Sequence, residues 1–230
     1  MTAIGIHQPN FMPWLGYFKK IYQSEKFIFL DSVKCSKNSY LNRNKFSTSK
    51  KFNDYFWLSC PLKKDSYKKN ILEVNVDSRF IKKHMNYFKM RHSKTREKEF
   101  LQEIIKLYDS FSDYKNFSIS HFNIKLIKLA CNFLDIKTQF MLSSKINENN
   151  KNSKQLLLID LIKIAEGTSY ISGNGAKDYQ DENMFLSENI ELIYIENKIQ
   201  ETYQIKKENV SMIDLMLHLG INECKKMILA

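Results

Sequence analysis

The sequence predicts an α/β fold with a mostly parallel sheet, flanking helices and a helical block in the middle of the chain. Short apolar runs that end in polar loops alternate with segments of helical periodicity near both ends of the chain. Residues from about 79 to 135 show helical periodicity alone, and 43% hydrophobic residues in a chain of 230 suffice for a sizeable core. We therefore expect a single α/β domain, residues 1–230, with a helical insertion at about 79–135.

The first thirty residues predict a strand, a loop, a helix and a second strand. Residues 3–6 form a short apolar run, helical periodicity begins at Trp14, and the run KFIFL at 26–30 stops at Asp31. Such a unit normally makes two neighbouring parallel strands, and ligands bind beyond the carboxyl ends of those strands. We therefore expect His7 and Asp31 on the same rim of the sheet.

The rest of the chain continues this alternation. The segment after Asp31 is rich in Ser, Asn and Lys and predicts a loop. The helix that ends at Glu166 is expected to have Gly167 as its C′ residue, and SMID at 211–214 fits a capping box. Strands are expected at 55–60, 71–76, 138–142, 169–171 and 190–195, and helices at 79–90, 96–111, 118–134, 155–166 and 211–219.

The positive charge of the chain indicates an anionic partner. The net charge is +11 and the isoelectric point is near 9.3. The lysines are scattered, however, and arginine, the better phosphate ligand, is scarce. This pattern favours a generally basic surface, and a non-catalytic nucleic-acid-binding protein that uses this surface remains an alternative.

The cysteines and most of the histidines predict no metal site. The four cysteines lie far apart, without a CxxC pair or a histidine at ligand spacing, and we expect reduced thiols. His84 and His218 fall within apolar helical periodicity, which favours packed or surface positions. His92 and His121 border predicted helices without an evident partner. We recognise no cofactor.

The hydropathy of the chain predicts no membrane span. No window offers the roughly 18 consecutive apolar residues that a spanning helix requires. The apolar run at the start is broken by His7 and Pro9, unlike the core of a signal peptide. We therefore expect a cytoplasmic protein.

The stretch HQPNFMPWLG, residues 7–16, is the strongest candidate for a binding loop. It holds two of the chain's three prolines, and these fix their own φ and are expected to push Gln8 and Met12 toward extended geometry. The loop then enters a helix at Trp14, where first-turn amides point toward any anion. An imidazole and two amides lie on this stiff frame, from His7, Gln8 and Asn10. The alternative is an ordinary loop with a buried, hydrogen-bonded histidine.

A second candidate loop is SGNGAKDYQD, residues 172–181. Gly173 and Gly175 follow a predicted strand, and closely spaced glycines let backbone amides approach a phosphate. Lys177 adds a charge, and Tyr179 lies in the same loop. A plain turn is the alternative. If this strand is parallel to the first, the loop opens on the same rim as His7.

The run IHQPNFMPWLGYFKKI, followed by FIFLDSV and NRNK, resembles the WbqC family, whose members are found among genes for bacterial O-antigen and other surface polysaccharides. The likeness continues in SCPLKK (59–64), KHMNYF (83–88), LDIKTQFMLSSK (134–145), YISGNGAKDY (170–179) and SMIDLMLHLG (211–220). It thus spans nearly the whole chain in order. The chain departs from the family at RHSKTR (91–96), where relatives usually carry an alanine-proline-aromatic step.

The resemblance implies modification of a nucleotide-activated amino sugar in lipopolysaccharide biosynthesis, with glycine or another aminoacyl or acyl group as the transferred unit. Such a transfer needs a base, donors for an oxyanion, and cations for a pyrophosphate. The donor is unidentified; a carrier protein or an aminoacyl-tRNA could supply it. Our hypothesis makes His7 the base, oriented by Asp31. The proposed substrate-binding residues are Gln8 and Asn10 for hydroxyls or the oxyanion, Trp14 and Tyr17 for ring stacking, and Lys34, Arg43 and the flanking Asn42 for phosphate.

Ser143 and Ser144 support a second enzymatic alternative. A strand followed by a small hydroxylated turn and Lys145 resembles the phosphate-binding signature of nucleotidylyltransferases. That superfamily has an HxGH pattern where this chain has Trp14-Leu15-Gly16-Tyr17. The sequence therefore favours nucleotide binding through Ser143 and Ser144 over nucleotide transfer.

Overall fold

Nine strands and nine α-helices are defined in the part of the chain that the structure, a computed structural model, describes: residues 1–37, 39–48, 54–147, 154–195 and 210–230. In chain order they are β1 (Ala3–His7), α1 (Leu15–Tyr22), β2 (Lys26–Phe29), β3 (Arg43–Ser47), β4 (Tyr55–Ser59), β5 (Asn75–Asp77), α2 (Phe80–Arg91), α3 (Lys98–Asp109), β6 (Asn116–Ser118), α4 (Ile119–Phe133), β7 (Gln139–Leu142), α5 (Ser143–Ile146), α6 (Lys154–Ile164), β8 (Ser169–Gly173), α7 (Glu182–Leu186), β9 (Glu191–Ile195), α8 (Met212–Leu219) and α9 (Ile221–Leu229).

Five of these strands form a parallel sheet in the order β7-β2-β1-β8-β9, which confirms the predicted α/β class. β1 is central, with Gly5 opposite Phe27 of β2 and opposite Ile171 of β8. Because all five strands run the same way, their carboxyl ends meet at one edge of the sheet. His7 ends β1 and Gly173 ends β8, so the loops that follow them leave from the same edge.

Both faces of the central strands β2, β1 and β8 are buried, and the side chains of β2 alternate between two hydrophobic cores. Phe27 and Phe29 of β2 pack into the larger core with helices of the middle block. Ile28 points the other way and packs with Ile4 and Ile6 of β1 against α6. This double burial explains why β2 is an almost continuous apolar run, as expected of a central parallel strand.

A region predicted as a loop contains a strand. β3 lies within the polar segment after Asp31 and pairs antiparallel with β4, apart from the main sheet. Its Asn44 and Phe46 are fully buried, because tertiary contacts outweigh the weak β propensity of the polar residues in RNKFS (43–47). The strand predicted at 71–76 is also corrected: it is a 3₁₀ turn at Ile71–Glu73 followed by the short β5.

The structure corrects the residues predicted to end α6 and to cap the start of α8. The left-handed residue after α6 is Glu166, with φ of 57°, rather than Gly167. Gly167 instead permits close packing, since a Cβ there would lie 2.2 Å from Cγ1 of Ile4. The capping box predicted at the start of α8 is wrong, because Ser211 makes no capping hydrogen bond with its side chain.

None of the helices within the described ranges is both long and apolar enough to cross a membrane.

We predict that Gly167→Ala destabilises the protein. The added methyl group would meet Ile4 at 2.2 Å and Ile162 at 2.9 Å, and overpacking of this kind lowers the free energy of unfolding by about 1–3 kcal/mol. The measurement is urea unfolding followed by circular dichroism. Gly175→Ala is the matched control, because a Cβ there has no neighbour within 4 Å. Equal unfolding midpoints for the two variants would contradict this account.

Candidate functional site

A cleft of about 540 Å³ opens at the carboxyl edge of β1 and β8. Its walls come from the end of β1, the start of α1, and the loop after β8. The structure brings seven of the residues proposed from the sequence into this cleft: His7, Gln8, Trp14, Tyr17, Gly173, Gly175 and Tyr179. Two loops that are more than 150 residues apart in sequence therefore share one site.

The loop after β1 is held by buried amide side chains. Nδ2 of Asn44 donates to the carbonyl of Met12 at 2.6 Å, and Nδ2 of Asn123 donates to the carbonyl of Pro9 at 2.8 Å. Met12 has a φ of 42°, so the extended geometry expected before Pro13 is wrong. A left-handed methionine is strained by about 1–3 kcal/mol and persists only where its surroundings over-determine it. The conformation of the loop is thus imposed by tertiary contacts, and the stiffness expected from the two prolines stays a prediction.

His7 is a neutral imidazole in this cleft. Its Nδ1 lies 3.2 Å from the Gln8 carbonyl oxygen, which can only accept, so the contact requires the proton on Nδ1 and leaves Nε2 as an acceptor. The Tyr17 hydroxyl donates to the same oxygen at 2.9 Å, and its ring lies 4.8 Å from the imidazole. Burial, helped by the positive charge of Lys20, lowers the pKa of His7 to about 3.

Lys20 is a functional candidate that the sequence interpretation missed. It is 5% exposed on α1 and lines the cleft. Its Nζ donates to the Ile6 carbonyl at 2.7 Å and lies 3.4 Å from the Tyr170 hydroxyl and 5.0 Å from the centre of that ring. Desolvation lowers the pKa of Lys20 to about 7. The signal in the sequence was its spacing, since residue 20 shares a helix face with Gly16 and Tyr17.

The glycines of the loop after β8 leave open space in the cleft. A Cβ on Gly173 or Gly175 would have no neighbour within 4 Å, so packing within the described protein does not require glycine at these positions. Tyr179 is 71% exposed at the cleft's edge. Lys177 is exposed and lies outside the lining, with its Nζ 5.8 Å from the ring centre of Tyr194.

Asp31, Ser143 and Ser144 form a separate buried cluster at the ends of β2 and β7. One carboxylate oxygen of Asp31 accepts from the Ser143 hydroxyl and the Ser144 amide, each at 2.9 Å, and the other accepts from the Ser144 hydroxyl at 2.7 Å. The expected pairing of Asp31 with His7 is therefore corrected, because Asp31 accepts from the two serines, whereas the proton of His7 is on Nδ1 and is donated to the Gln8 carbonyl. The same bonds occupy the hydroxyls of Ser143 and Ser144, which the sequence predicts to bind phosphate.

Four further residues proposed from the sequence lie outside the cleft lining. Asn10 is 3% exposed and does not line the cleft, so its side chain is not positioned to contact a substrate there. Lys34 is exposed beside Asn70, where the two form an isolated β-bridge, and Asn42 donates to the Cys60 carbonyl at 2.8 Å. Arg43 lies on β3, with its guanidinium 4.6 Å from the Trp57 ring.

A row of aromatic rings connects the cleft with Arg43. Trp14, in the cleft, lies 5.0 Å from the ring of Tyr40, which lies 5.8 Å from the ring of Trp57. Trp57 is 40% exposed and contacts Arg43. Exposed rings beside a cation suit the planar base and phosphate of a nucleotide. Arg43 thus remains a phosphate candidate at the far end of this row.

Lys20 predicts a specific dependence of stability on pH. Its pKa is 10.5 in the unfolded chain and about 7 in the folded protein, so between these values the unfolded state binds more protons and the free energy of unfolding rises with pH. The rise attributable to Lys20 is about 2 kcal/mol between pH 7 and pH 9. Urea unfolding at several pH values should show this slope in the wild type and in Lys137→Met, an exposed-lysine control, but not in Lys20→Met. Parallel curves for all three proteins would refute the assignment.

Comparison with known proteins places this architecture in a family. A family model described as the WbqC-like protein family matches residues 8–226. Uncharacterized protein Rv1507c of Mycobacterium tuberculosis (strain ATCC 25618 / H37Rv) is 26% identical over 226 residues, which cover 96% of this chain and 95% of that protein. No solved structure matches the chain. The resemblance carried by HQPNFMPWLG and the later motifs is confirmed, and the chain belongs to the WbqC-like protein family.

Proposed function

We propose that the chain is a transferase that attaches an acyl or aminoacyl group, such as glycine, to the amine of a nucleotide-activated amino sugar in surface-glycan biosynthesis. The observation that carries the proposal is Lys20, a buried lysine in the cleft whose pKa is lowered to about 7. Lysines are almost never fully buried without an ionic partner. A perturbed titratable group in a cleft indicates catalysis or ligand binding.

Lys20 is a better proton acceptor than His7. General base catalysis is most efficient when the pKa of the base lies near the working pH, and the pKa of Lys20 is about 7 whereas that of His7 is about 3. In the proposed step the sugar amine attacks the acyl carbonyl carbon, a C–N bond forms, and the amine proton passes to Nζ of Lys20. The bond between the carbonyl carbon and the sulfur or oxygen of the carrier breaks, and the carrier leaves with the electron pair and takes the proton from Lys20. Nε2 of His7 orients the attacking amine by accepting a hydrogen bond from it.

The remaining walls of the cleft suit a phosphorylated sugar. α1 begins beside the cleft at Leu15, after its N-cap residue Trp14, with no side-chain cap and no acidic residue in its first turn, so the dipole at this helix end favours a pyrophosphate. Trp14 offers a ring face to the sugar or base. Tyr17 is 1% exposed, and its hydroxyl donates to the Gln8 carbonyl, so it supports the loop rather than stacking on a ligand. The open space beside Gly173 and Gly175 admits a ligand close to the backbone. A volume of about 540 Å³ is within the range of small-molecule sites.

Nucleotide-sugar binding is the first testable element of the proposal. In a thermal-shift screen, a ligand that binds only the folded protein raises the apparent stability by RT ln(1 + [L]/Kd). We expect a nucleotide-activated amino sugar to raise the melting temperature more than the free nucleotide. Gly173→Val should fold but lose this shift, because its side chain would occupy the open space in the cleft. No shift with any nucleotide sugar in the wild type would contradict the proposed substrate class.

Turnover provides the test of Lys20. With a bound nucleotide amino sugar and a panel of acyl thioesters and aminoacyl-tRNAs, mass spectrometry should detect the acylated sugar, and kcat/KM should fall below about pH 7 as Lys20 becomes protonated. Lys20→Met should lower kcat by about 100-fold or more, while Lys137→Met keeps wild-type activity. If Lys20→Met retains the activity and pH profile of the control, Lys20 is not the base.

The same assay identifies the class of donor. If an aminoacyl-tRNA is the donor, the basic surface contacts its phosphates, and binding weakens steeply with salt, by about one logarithmic unit of slope per phosphate neutralised. Turnover with a small thioester should change far less across the same range of ionic strength. The comparison requires the same sugar acceptor in both reactions.

A further inference from the structure

A second group of titratable side chains lies away from the cleft, where α8 packs against the end of α2. Asp214 and His218 are four residues apart on α8 and share one face of that helix, and His92 is the residue that ends α2. One ligand atom from each of the three lies within 4.8 Å of the others. Nε2 of His92 is 3.6 Å and Nε2 of His218 is 3.4 Å from Oδ1 of Asp214.

The three side chains are withdrawn from water. His92 is 2% and Asp214 0% exposed, and the His218 side chain is 6% exposed. The Ser47 amide donates to Oδ2 of Asp214 at 2.8 Å, which satisfies only that oxygen. Within the described ranges of the chain, Oδ1 of Asp214 and Nε2 of His92 have no hydrogen-bond partner. Leaving a buried polar atom without a partner costs about 1–3 kcal/mol, and more for a charged group.

Hydrogen bonds between the imidazoles and Asp214 do not explain this arrangement. Both His–Asp distances exceed the 2.7–3.2 Å range of ordinary N–H···O bonds. They do match the edges of a coordination tetrahedron, because metal–ligand bonds of about 2.0–2.1 Å place neighbouring ligand atoms about 3.4 Å apart. A cation between the three atoms would satisfy Oδ1 of Asp214 and Nε2 of His92 at once.

We propose that His92, Asp214 and His218 form a binding site for a divalent transition-metal ion. Two imidazoles and one carboxylate suit Zn²⁺ or Fe²⁺ rather than Mg²⁺ or Ca²⁺, which take oxygen ligands. A second cavity of about 540 Å³ is lined by His92 and His218 together with Arg91, Lys94 and Arg96. The remaining coordination positions of the ion can therefore take water or an anionic group from this cavity.

The ion would join two elements that are distant in sequence. His92 follows α2, whereas Asp214 and His218 lie on α8. The amide of Met212, at the start of α8, donates to the Pro13 carbonyl at 2.8 Å, so α8 also supports the loop that lines the first cleft. Metal binding is therefore expected to stabilise the folded chain, because a ligand that favours the native state raises its unfolding temperature. The site does not depend on the proposed transferase activity.

The test uses the full chain without a histidine tag, stripped with EDTA and then dialysed. Isothermal titration with Zn²⁺, followed by desalting and elemental analysis, should give about one ion per chain for the wild type. Asp214→Asn and His218→Gln should bind at least about tenfold more weakly. His121→Gln, which removes an exposed histidine, is the matched control and should bind like the wild type. Circular dichroism establishes that each variant is folded.

Co²⁺ provides a second measurement that needs only the wild type. Binding through His92, Asp214 and His218 should give a visible absorption band more intense than that of aqueous Co²⁺, and Zn²⁺ should displace it. The proposal is overturned if the wild type binds neither ion stoichiometrically, or if Asp214→Asn and His218→Gln bind as tightly as His121→Gln. If Asp214→Asn or His218→Gln does not fold, the Co²⁺ spectrum of the wild type decides whether the proposed metal site exists.

Discussion

The parallel pairing of β1 between β2 and β8 is the constraint on which the first site depends. It places the end of β1 and the end of β8 at one edge of the sheet, although the strands are more than 150 residues apart in sequence. The loops that follow must then face a common space. Gly5 contributes locally, because a Cβ there would lie 2.4 Å from the hydroxyl of Ser24, in the turn that follows α1. The close approach of α1 to β1 in turn buries Lys20.

The burial of Lys20 determines the electrostatics of the cleft. Its ammonium group is held against the Ile6 carbonyl and the Tyr170 ring, where neutral groups cannot compensate the lost hydration of a full charge. Its pKa falls for this reason, and its remaining charge also lowers the pKa of the neighbouring His7. A phosphorylated ligand would reverse both effects, since a nearby anion favours the charged forms. The cleft is thus suited to couple anion binding with a change in protonation.

The sequence predicted the sheet and one half of the site, because those features are local. Apolar runs, prolines and glycines identified β1, its loop and the loop after β8 as neighbours. Asp31 was assigned wrongly, because its partners Ser143 and Ser144 are more than 100 residues away and no local signal shows that they bind a carboxylate. Lys20 was missed since a lysine in an amphipathic helix is normally exposed.

The grouping of His92, Asp214 and His218 also could not be predicted from local sequence patterns. Asp214 and His218 stand at i and i+4, a spacing visible in the sequence, but the local pattern predicts only a capping box for Asp214 and an apolar helix face for His218. His92 completes the group only through the packing of α2 against α8. In the same way, the left-handed Met12 could not be anticipated, because distant Asn44 holds its carbonyl. Local patterns predict elements, whereas these contacts arise from tertiary packing.

The most direct test of the central claim is the titration of Lys20 itself. In protein labelled with ¹³C at the lysine side chains, the Cε signal of Lys20 is identified by its loss in Lys20→Met and followed by NMR from pH 5 to pH 11. A midpoint near pH 7 is expected from its burial in the cleft. A midpoint near 10.5, together with the surface lysines, would contradict the account.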